Sequence, residues 1–284
     1  MRVGLNLVMV RPDLMPAVAA RAEAAGYESV FVPDHVVFPA RRDSPYPYTP
    51  DGTPPFPLDT PLYDPLVLLT QLAEVTSTIK LGTAVYLLAL RHPLVAARAL
   101  TTLDVLSGGR VVLGVGAGWF EEEFTALGLD PRTRFSRTEE AVAVLREVWT
   151  SREATFHGRH FDIDAVYFEP KPVSSPHPPI LLGGESDRAL ARAVEVGDGW
   201  ISAGTVEHVE RHLRTLADLR ERHGGTRSFD VTVLHPSPSV DDLESLRALG
   251  VDRVVVMPWQ RGREAVAALE TYADAVLARA PVER

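Results

Sequence analysis

The chain contains 284 residues, carries a net charge of −9 and has no cysteine. The lack of cysteine excludes a disulfide framework, a thiolate nucleophile and cysteine-ligated metal centres. The acidic charge gives no electrostatic basis for nucleic-acid binding, and no apolar run approaches the ~18 residues of a membrane span. The apolar start ends at Arg11 without a small-residue cleavage site. We interpret it as a buried strand rather than a signal peptide, and expect a cytoplasmic protein.

Short apolar runs alternate with segments of helical period along the chain. The runs predict eight strands, at 3–8, 29–33, 79–85, 110–115, 179–182, 199–202, 230–235 and 253–258. Helical patterns occupy 12–25, 65–76, 94–106, 187–196, 206–222, 241–249 and 263–278. Continuous apolar strands are typical of a parallel sheet covered on both faces. Eight such βα units predict an α/β fold of the (β/α)8 TIM-barrel class, forming one domain over 1–284, with a doubly wound open sheet as the alternative.

Three segments interrupt this alternation. Residues 36–62, after the second strand, are rich in proline and aromatics. On a barrel this segment lies at the mouth, so we predict a lid that is poorly ordered without ligand. Residues 127–136 break the fourth connection, and alternation within 154–178 predicts a β excursion before the fifth strand.

The second strand ends in an ionisable pair, Asp34 and His35. Histidine exchanges protons near neutral pH, and a neighbouring aspartate can orient it or bond a cofactor ring. We therefore predict both as catalytic residues, with Asp34 also a cofactor contact. The alternative is that Asp34 caps a turn and His35 lies on the surface.

The next two strand ends carry small residues. The third ends at Thr83, Ala84 and Val85, and the fourth continues into Gly116, Ala117, Gly118 and Trp119. Alternating glycines allow a flat ligand close to the backbone, although their spacing is a weak dinucleotide-binding signal. The glutamates 121–123 are interpreted as surface charge in the first turn of a helix.

The fifth and sixth strand ends predict an anion site. Gly183, Gly184 and Glu185 lead directly into one helix, and Gly204 and Thr205 into the next. Backbone N–H groups at such a turn bind phosphate well.

The histidines show no metal-ligand spacing, and His208 and His212 are interpreted as solvent-exposed, so no metal site is expected. An apolar mouth with an anion site suits a phosphate-bearing redox cofactor.

Several stretches together resemble the luciferase-like monooxygenase superfamily, and within it the actinobacterial branch of F420-dependent oxidoreductases. They lie at 2–7, 30–36, 46–52, 80–85, 102–119, 156–161, 168–173 and 178–200. Members of this superfamily use either FMN or the deazaflavin F420. The resemblance implies that the barrel mouth holds the cofactor ring, with Asp34 and His35 touching ring or substrate.

The resemblance also implies a non-proline cis peptide at Ala84–Val85 behind the ring, Gly116 to Trp119 beside it, and the phosphate at Gly183 and Gly184. Sugar-phosphate dehydrogenases of the branch have a catalytic glutamate where this chain has Trp119. Proton donation is therefore assigned to His35, a tyrosine or water.

The expected activity is F420-dependent hydride transfer to or from a small organic substrate. The alternatives are an FMN-dependent monooxygenase that uses reduced flavin and oxygen, and a non-catalytic flavin-binding barrel. A homodimer is expected.

Overall fold

Eight parallel strands close into a barrel in the computed structural model, which describes residues 1–47, 49–224 and 228–280. The open-sheet alternative is therefore wrong, and the predicted TIM barrel is confirmed. Tyr48 lies outside the described residues. The barrel strands are β1 (Arg2–Asn6), β2 (Ser29–Val32), β3 (Lys80–Thr83), β4 (Val111–Val115), β7 (Ile180–Gly183), β8 (Gly199–Ala203), β9 (Asp230–Leu234) and β10 (Arg253–Val256). Their order around the barrel is β1-β10-β9-β8-β7-β4-β3-β2.

Helices follow the strands on the outside of the barrel. They are α1 (Met15–Ala24), α2 (Pro65–Glu74), α3 (Pro93–Ser107), α4 (Glu121–Ala126), α5 (Arg134–Thr150), α6 (Asp187–Val196), α7 (Val206–Arg222), α8 (Val240–Ala248) and α9 (Ala265–Tyr272). The predicted ranges of α6 and α7 agree with the structure. The last predicted helix instead ends as a π-helical turn, Ala273–Leu277.

Local sequence explains several of these boundaries. The side chain of Asp64 accepts hydrogen bonds from the first turn of α2, which begins with Pro65. Proline suits this position because its missing N–H would have no helical partner there. Helix α3 likewise begins at Pro93, and it is capped after Ser107 by Gly108, whose φ of 67° is left-handed. Glycine adopts that conformation without steric cost.

The second and third interruptions of the barrel pattern have different structures. Residues 154–178 contain the antiparallel pair β5 (Ala154–His157) and β6 (Asp162–Val166), which confirms the β excursion. The fourth connection contains α4, a short 3₁₀ turn and then the 17-residue α5. No separate helical segment had been predicted over α5.

The barrel interior is a small apolar cluster of Phe31, Val112, Leu181, Ile201 and Val255, and Ala84 and Val85 pack against it. Gly82 is required here, because a Cβ atom would lie 2.3 Å from the Phe31 ring. The segment after β3 thus lies over a filled barrel, so any ligand must bind above it, at the mouth. In the described part of the chain, no helix is both long and apolar enough to cross a membrane.

Candidate active site

Three strand ends meet around the side chain of Val85. A Cβ atom on Gly116 would lie 2.4 Å from Val85 Cγ2, and one on Gly183 would lie 3.6 Å from Val85 Cγ1. The ends of β3, β4 and β7 are therefore in contact, as predicted from their positions at the carboxyl ends of parallel strands. Protein packing alone explains glycine at position 116.

The peptide bond between Ala84 and Val85 is cis, which confirms the expectation taken from the family resemblance. The neighbouring residues are tied to β4. The Thr83 hydroxyl donates to the carbonyl of Gly114 at 2.8 Å, and the Tyr86 N–H donates to the same oxygen at 2.7 Å. The backbone at the mouth is thus fixed on both sides of Val85.

A buried glutamate holds the ring of His35. Nδ1 of His35 lies 2.9 Å from Oε2 of Glu123, whose side chain is fully buried. The other carboxylate oxygen accepts the N–H groups of Val36 at 2.6 Å and Val37 at 3.2 Å. Since the other oxygen of this carboxyl group already accepts two N–H groups, we assign the carboxylate as acceptor and the ring as donor from Nδ1, which leaves Nε2 for chemistry. No residue within the described ranges hydrogen-bonds to that Nε2.

Asp34 does not hydrogen-bond to His35, although sequence adjacency had suggested that it could orient the ring. Its two oxygens instead accept a bidentate pair of bonds from Arg91, at 2.7 and 2.8 Å, and the N–H of Leu87 at 2.9 Å. The pKa of Asp34 is raised, because burial raises it more than the bonds and charge of Arg91 lower it. Burial by itself lowers the pKa of Arg91, but the bonds and charge of Asp34 outweigh it and raise that pKa.

The interpretation of residues 121–123 as surface charge is wrong for two of the three glutamates. Glu123 is buried beneath His35. Glu122 accepts the N–H groups of Asp43 at 2.6 Å and Ser44 at 2.8 Å, and the Ser44 hydroxyl at 2.7 Å. Burial raises the pKa of Glu122, but the bonds from Ser44 and Asp43 outweigh it and lower the pKa to about 2. The two glutamates tie the segment after β2 to the start of α4.

Aromatic rings from the same two segments form a cluster beside His35, which we call the rim cluster: Phe38, Tyr46, Phe56, Trp119 and Phe120. Trp119 and Phe120 stack with centroids 4.2 Å apart, and Tyr46 meets the Trp119 ring edge-on at 5.1 Å. The His35 ring lies 4.7 Å from that of Phe38. The proline-rich segment therefore covers the mouth at this edge; its mobility stays a prediction.

The predicted anion site lies at the ends of β7 and β8. Among the residues that the structure describes, none accepts the N–H groups of Gly184, Glu185 or Ser186. Gly184 has a φ of 115°, which favours glycine. The Thr205 hydroxyl accepts the His208 N–H at 3.4 Å as the cap of α7. The free N–H groups leave room for an anion, whereas Thr205 is partly used by the helix.

The side chain of Glu185 contacts other protein groups, so only its backbone N–H is available to an anion. It accepts the Ser202 hydroxyl at 2.7 Å and lies 3.0 Å from Nε2 of His208. The His208 and His212 rings lie 4.7 Å apart, and both residues are half-buried. The expectation that these two histidines are solvent-exposed is therefore wrong, because α7 packs its first turns against the loop after β7.

Arg91 and Glu123 were missed by the reading of the sequence. Arg91 follows an apolar run and is far in sequence from Asp34, and no local pattern links the two. Glu123 sits in a run of three glutamates that suits an exposed helix start. The one feature of the sequence that sets Glu123 apart from an exposed glutamate is its position between two phenylalanines, Phe120 and Phe124. Both are fully buried in the structure.

The sequence profile described as luciferase-like monooxygenase matches residues 7–272. The chain therefore belongs to the luciferase-like monooxygenase family.

The chain is similar to an uncharacterized mycobacterial protein and to enzymes of two cofactor groups. An uncharacterized protein of Mycobacterium tuberculosis is 34% identical over 272 residues, covering 92% of this chain and 93% of the relative. An F420-dependent glucose-6-phosphate dehydrogenase of Kineococcus radiotolerans is 34% identical over 83% of this chain and 68% of its own. An FMNH(2)-dependent dimethylsulfone monooxygenase of Pseudomonas putida is 37% identical over 46% of this chain and 36% of its own.

Solved structures share the fold at low sequence identity. The monooxygenase RslO1 of Streptomyces bottropensis has a TM-score of 0.78 at 18% identity, over 98% of this chain and 99% of that one. The coenzyme F420-dependent tetrahydromethanopterin reductase of Methanopyrus kandleri has a TM-score of 0.74 at 18% identity, over 98% of both chains. The family thus consists of oxidoreductases that include F420- and FMN-dependent members.

Proposed function

We propose that the chain is an F420-dependent oxidoreductase that transfers a hydride to or from a small organic substrate in the barrel mouth. One observation carries the proposal: the ring of His35, held by the buried Glu123, lies at the same barrel end as the strand termini that meet at Val85. Val85 and Val36, the residue after His35, pack against one apolar cluster. A proton-transfer group thus borders a backbone surface suited to a flat ring.

The residues present fit a phosphate-bearing cofactor. The N–H groups of Gly184, Glu185 and Ser186 have no acceptor among the described residues, and such groups at a helix start bind phosphate. Gly183 and Gly184 would hold the phosphate, Val85 would support the ring, and the segment from Gly116 to Trp119 would flank it. When bound, F420 supplies a carbon that accepts or donates a hydride.

His35 balances charge in this proposal. Reduction of a C=C or C=N bond requires a proton as well as a hydride. With Nδ1 donating to Glu123, Nε2 is the atom that gives the proton in one direction and accepts it in the other. Glu123 fixes the ring orientation and stabilises the protonated ring, and Asp34 fixes the backbone after β3 through Leu87.

The rim cluster points to the substrate class. Where the resemblance places the catalytic glutamate of sugar-phosphate dehydrogenases, Trp119 stacks on Phe120 and contacts Tyr46. Aromatic faces favour apolar or aromatic groups over a sugar phosphate. We therefore propose a partly apolar substrate, although an F420-dependent glucose-6-phosphate dehydrogenase is among the relatives.

An FMN-dependent monooxygenase is the second candidate, favoured by the FMNH(2)-dependent relative. F420 is preferred because its relative matches 83% of this chain, against 46% for the FMN relative.

Titration of the purified protein with F420 and with FMN tests the choice, with binding followed by cofactor fluorescence. We expect F420 to bind at least tenfold more tightly. Tighter binding of FMN would replace the proposal by the second candidate, and binding of neither would overturn both. Size-exclusion chromatography with light scattering tests the predicted homodimer separately.

A further inference from the structure

Two histidines and a glutamate converge at the outer edge of the anion site. Glu185 follows β7, and His208 and His212 lie one turn apart on α7. Each offers one potential ligand atom, and the three atoms lie within 4.8 Å of one another. Across the described ranges of the chain, this is the only group of three such residues.

Two of the three side chains are already oriented by other groups. Nδ1 of His212 lies 2.9 Å from the carbonyl oxygen of His208. A carbonyl can only accept, so Nδ1 carries the proton and Nε2 keeps its lone pair. The Ser202 hydroxyl donates to one oxygen of Glu185, which leaves the other oxygen beside His208. Hydrogen bonds of this kind from outside the ligand set fix tautomer and ring orientation in metal sites.

We propose that Glu185, His208 and His212 form a binding site for a divalent transition-metal ion of the zinc class. Two imidazoles and one carboxylate are a donor set found in three-ligand zinc sites, which keep a fourth position for water or another ligand. Ligand atoms ~2.1 Å from a tetrahedral ion lie ~3.4 Å apart. Glu185 and His208 are within that distance at 3.0 Å, and all three ligand atoms lie within 4.8 Å of one another, so small displacements complete the set.

The ion would join the loop after β7 to α7, the helix that follows the neighbouring strand β8. Glu185 belongs to the loop between β7 and α6, whereas the histidines belong to α7. The dication would also offset the negative charge of Glu185 beside Gly184, and its open position suits an oxygen ligand. The site goes beyond the proposed oxidoreductase activity and does not depend on which cofactor is bound.

The test uses the full chain without a histidine tag, stripped with EDTA and desalted, and without cofactor. Zn²⁺ binding is measured by calorimetry and Co²⁺ binding by visible absorption, whose intensity reports a tetrahedral site. We expect one ion per chain, and at least tenfold weaker Zn²⁺ binding in Glu185→Gln and in His212→Gln. Zn²⁺ should raise the Tm of the wild type and not that of either variant, because a ligand of the folded state stabilises it.

His223→Gln is the matched control. His223 lies on the same helix, its Nδ1 is 2.8 Å from the carbonyl of Leu219, and Nε2 is 3.6 Å from Glu195, but it has no third ligand. Its binding should equal that of the wild type. Equal binding by the wild type and His212→Gln, or the lack of any Zn²⁺-dependent Tm shift in the wild type, would overturn the proposal. Since no cofactor is present, either result leaves the proposed activity untouched.

Discussion

The two ends of the barrel bury charge in different ways. At the amino end, Arg253 makes a bidentate pair with Glu28 at 2.8 and 3.0 Å and a further bond to Asp230 at 3.2 Å. Arg2 adds a bond to Asp230 at 2.5 Å. At the mouth, Asp34 and Arg91 form one similar pair, but Glu123 has no lysine or arginine partner among the described residues and contacts His35 instead.

We interpret the charged groups at the amino end as stabilising the fold and those at the mouth as serving the reaction. At the amino end burial lowers the pKa of Arg253, yet Glu28 and Asp230 outweigh it and raise that pKa, so the group stays charged. Burial raises the pKa of Glu28, and Arg253 outweighs it in the opposite direction. Arg253 and Glu28 therefore both stay charged. At the mouth, the partner of the buried carboxylate is a histidine, a side chain suited to proton transfer rather than to a permanent ion pair.

The largest expected effect is on turnover at the mouth. His35→Ala should reduce kcat ~10²–10⁴-fold, the usual loss for a missing proton donor. Cofactor affinity should stay within a few-fold, since the phosphate site is separate. Steady-state kinetics at saturating cofactor measures this.

His157→Ala is the control for that variant, because His157 also contacts a carboxylate, Asp162, at 2.6 Å but is exposed on the β5–β6 hairpin. It should keep the wild-type rate. Wild-type turnover by His35→Ala would exclude His35 as the proton donor and favour Tyr86 or water.

At the amino end, the expected effect is on stability alone. Arg253→Met leaves the half-buried Glu28 without its bidentate partner, whereas Asp230 keeps its bond from Arg2. Breaking a fully buried pair costs about 3–5 kcal/mol, and the partial exposure of Glu28 brings the expected loss to about 2–3 kcal/mol. Urea denaturation measures the loss, and kcat of the folded variant should be near that of the wild type. Arg21→Met, which removes an exposed pair with Glu270, should cost at most about 1 kcal/mol. Equal losses in the two variants would show that the buried pair at the amino end stabilises the fold no more than an exposed pair does.

A carboxylate in the anion site should weaken cofactor binding, and it should destabilise the fold less than Arg253→Met does. Gly184→Asp places a negative charge beside the free N–H groups, so we expect at least a tenfold rise in Kd. The variant also strains a residue with φ of 115° and brings a Cβ within 2.8 Å of Ala189. Gly128→Asp controls for backbone strain, since φ there is 72° and no atom lies within 4 Å. A similar Kd for both variants would place the phosphate elsewhere.

The smallest expected effect concerns the contact between Glu122 and Ser44. The pKa of Glu122 lies below its ordinary value of 4.5, at about 2. The contact therefore stabilises the folded chain above pH 4.5, and this contribution is lost as the pH falls towards 2. Since Glu122 is only half-buried, Glu122→Gln should cost about 1 kcal/mol or less. Limited proteolysis within 36–62 should be faster in the variant at neutral pH. Equal cleavage would show that Glu122 does not hold the segment.

Sequence patterns determined the barrel and the location of its mouth. Apolar strands, glycine at strand ends and helix-start signals are local, and they place Asp34, Val85, Gly116, Gly183 and Gly204 at carboxyl strand ends without further information. Closure brings these ends together because all eight strands are parallel. The family resemblance added the cis bond before Val85, for which the residues themselves carried no signal.

Only the tertiary structure decided which charged groups are paired. Asp34 and His35 are adjacent in sequence, yet one side chain meets Arg91 and the other Glu123, 88 residues away. Likewise, the two histidines four residues apart on α7 suggest no site by themselves. The loop after β7 supplies the third residue, Glu185. A hydrogen bond depends on positions within a few tenths of an ångström, and those positions follow from how loops from separate strands pack together, which no local pattern of residues specifies.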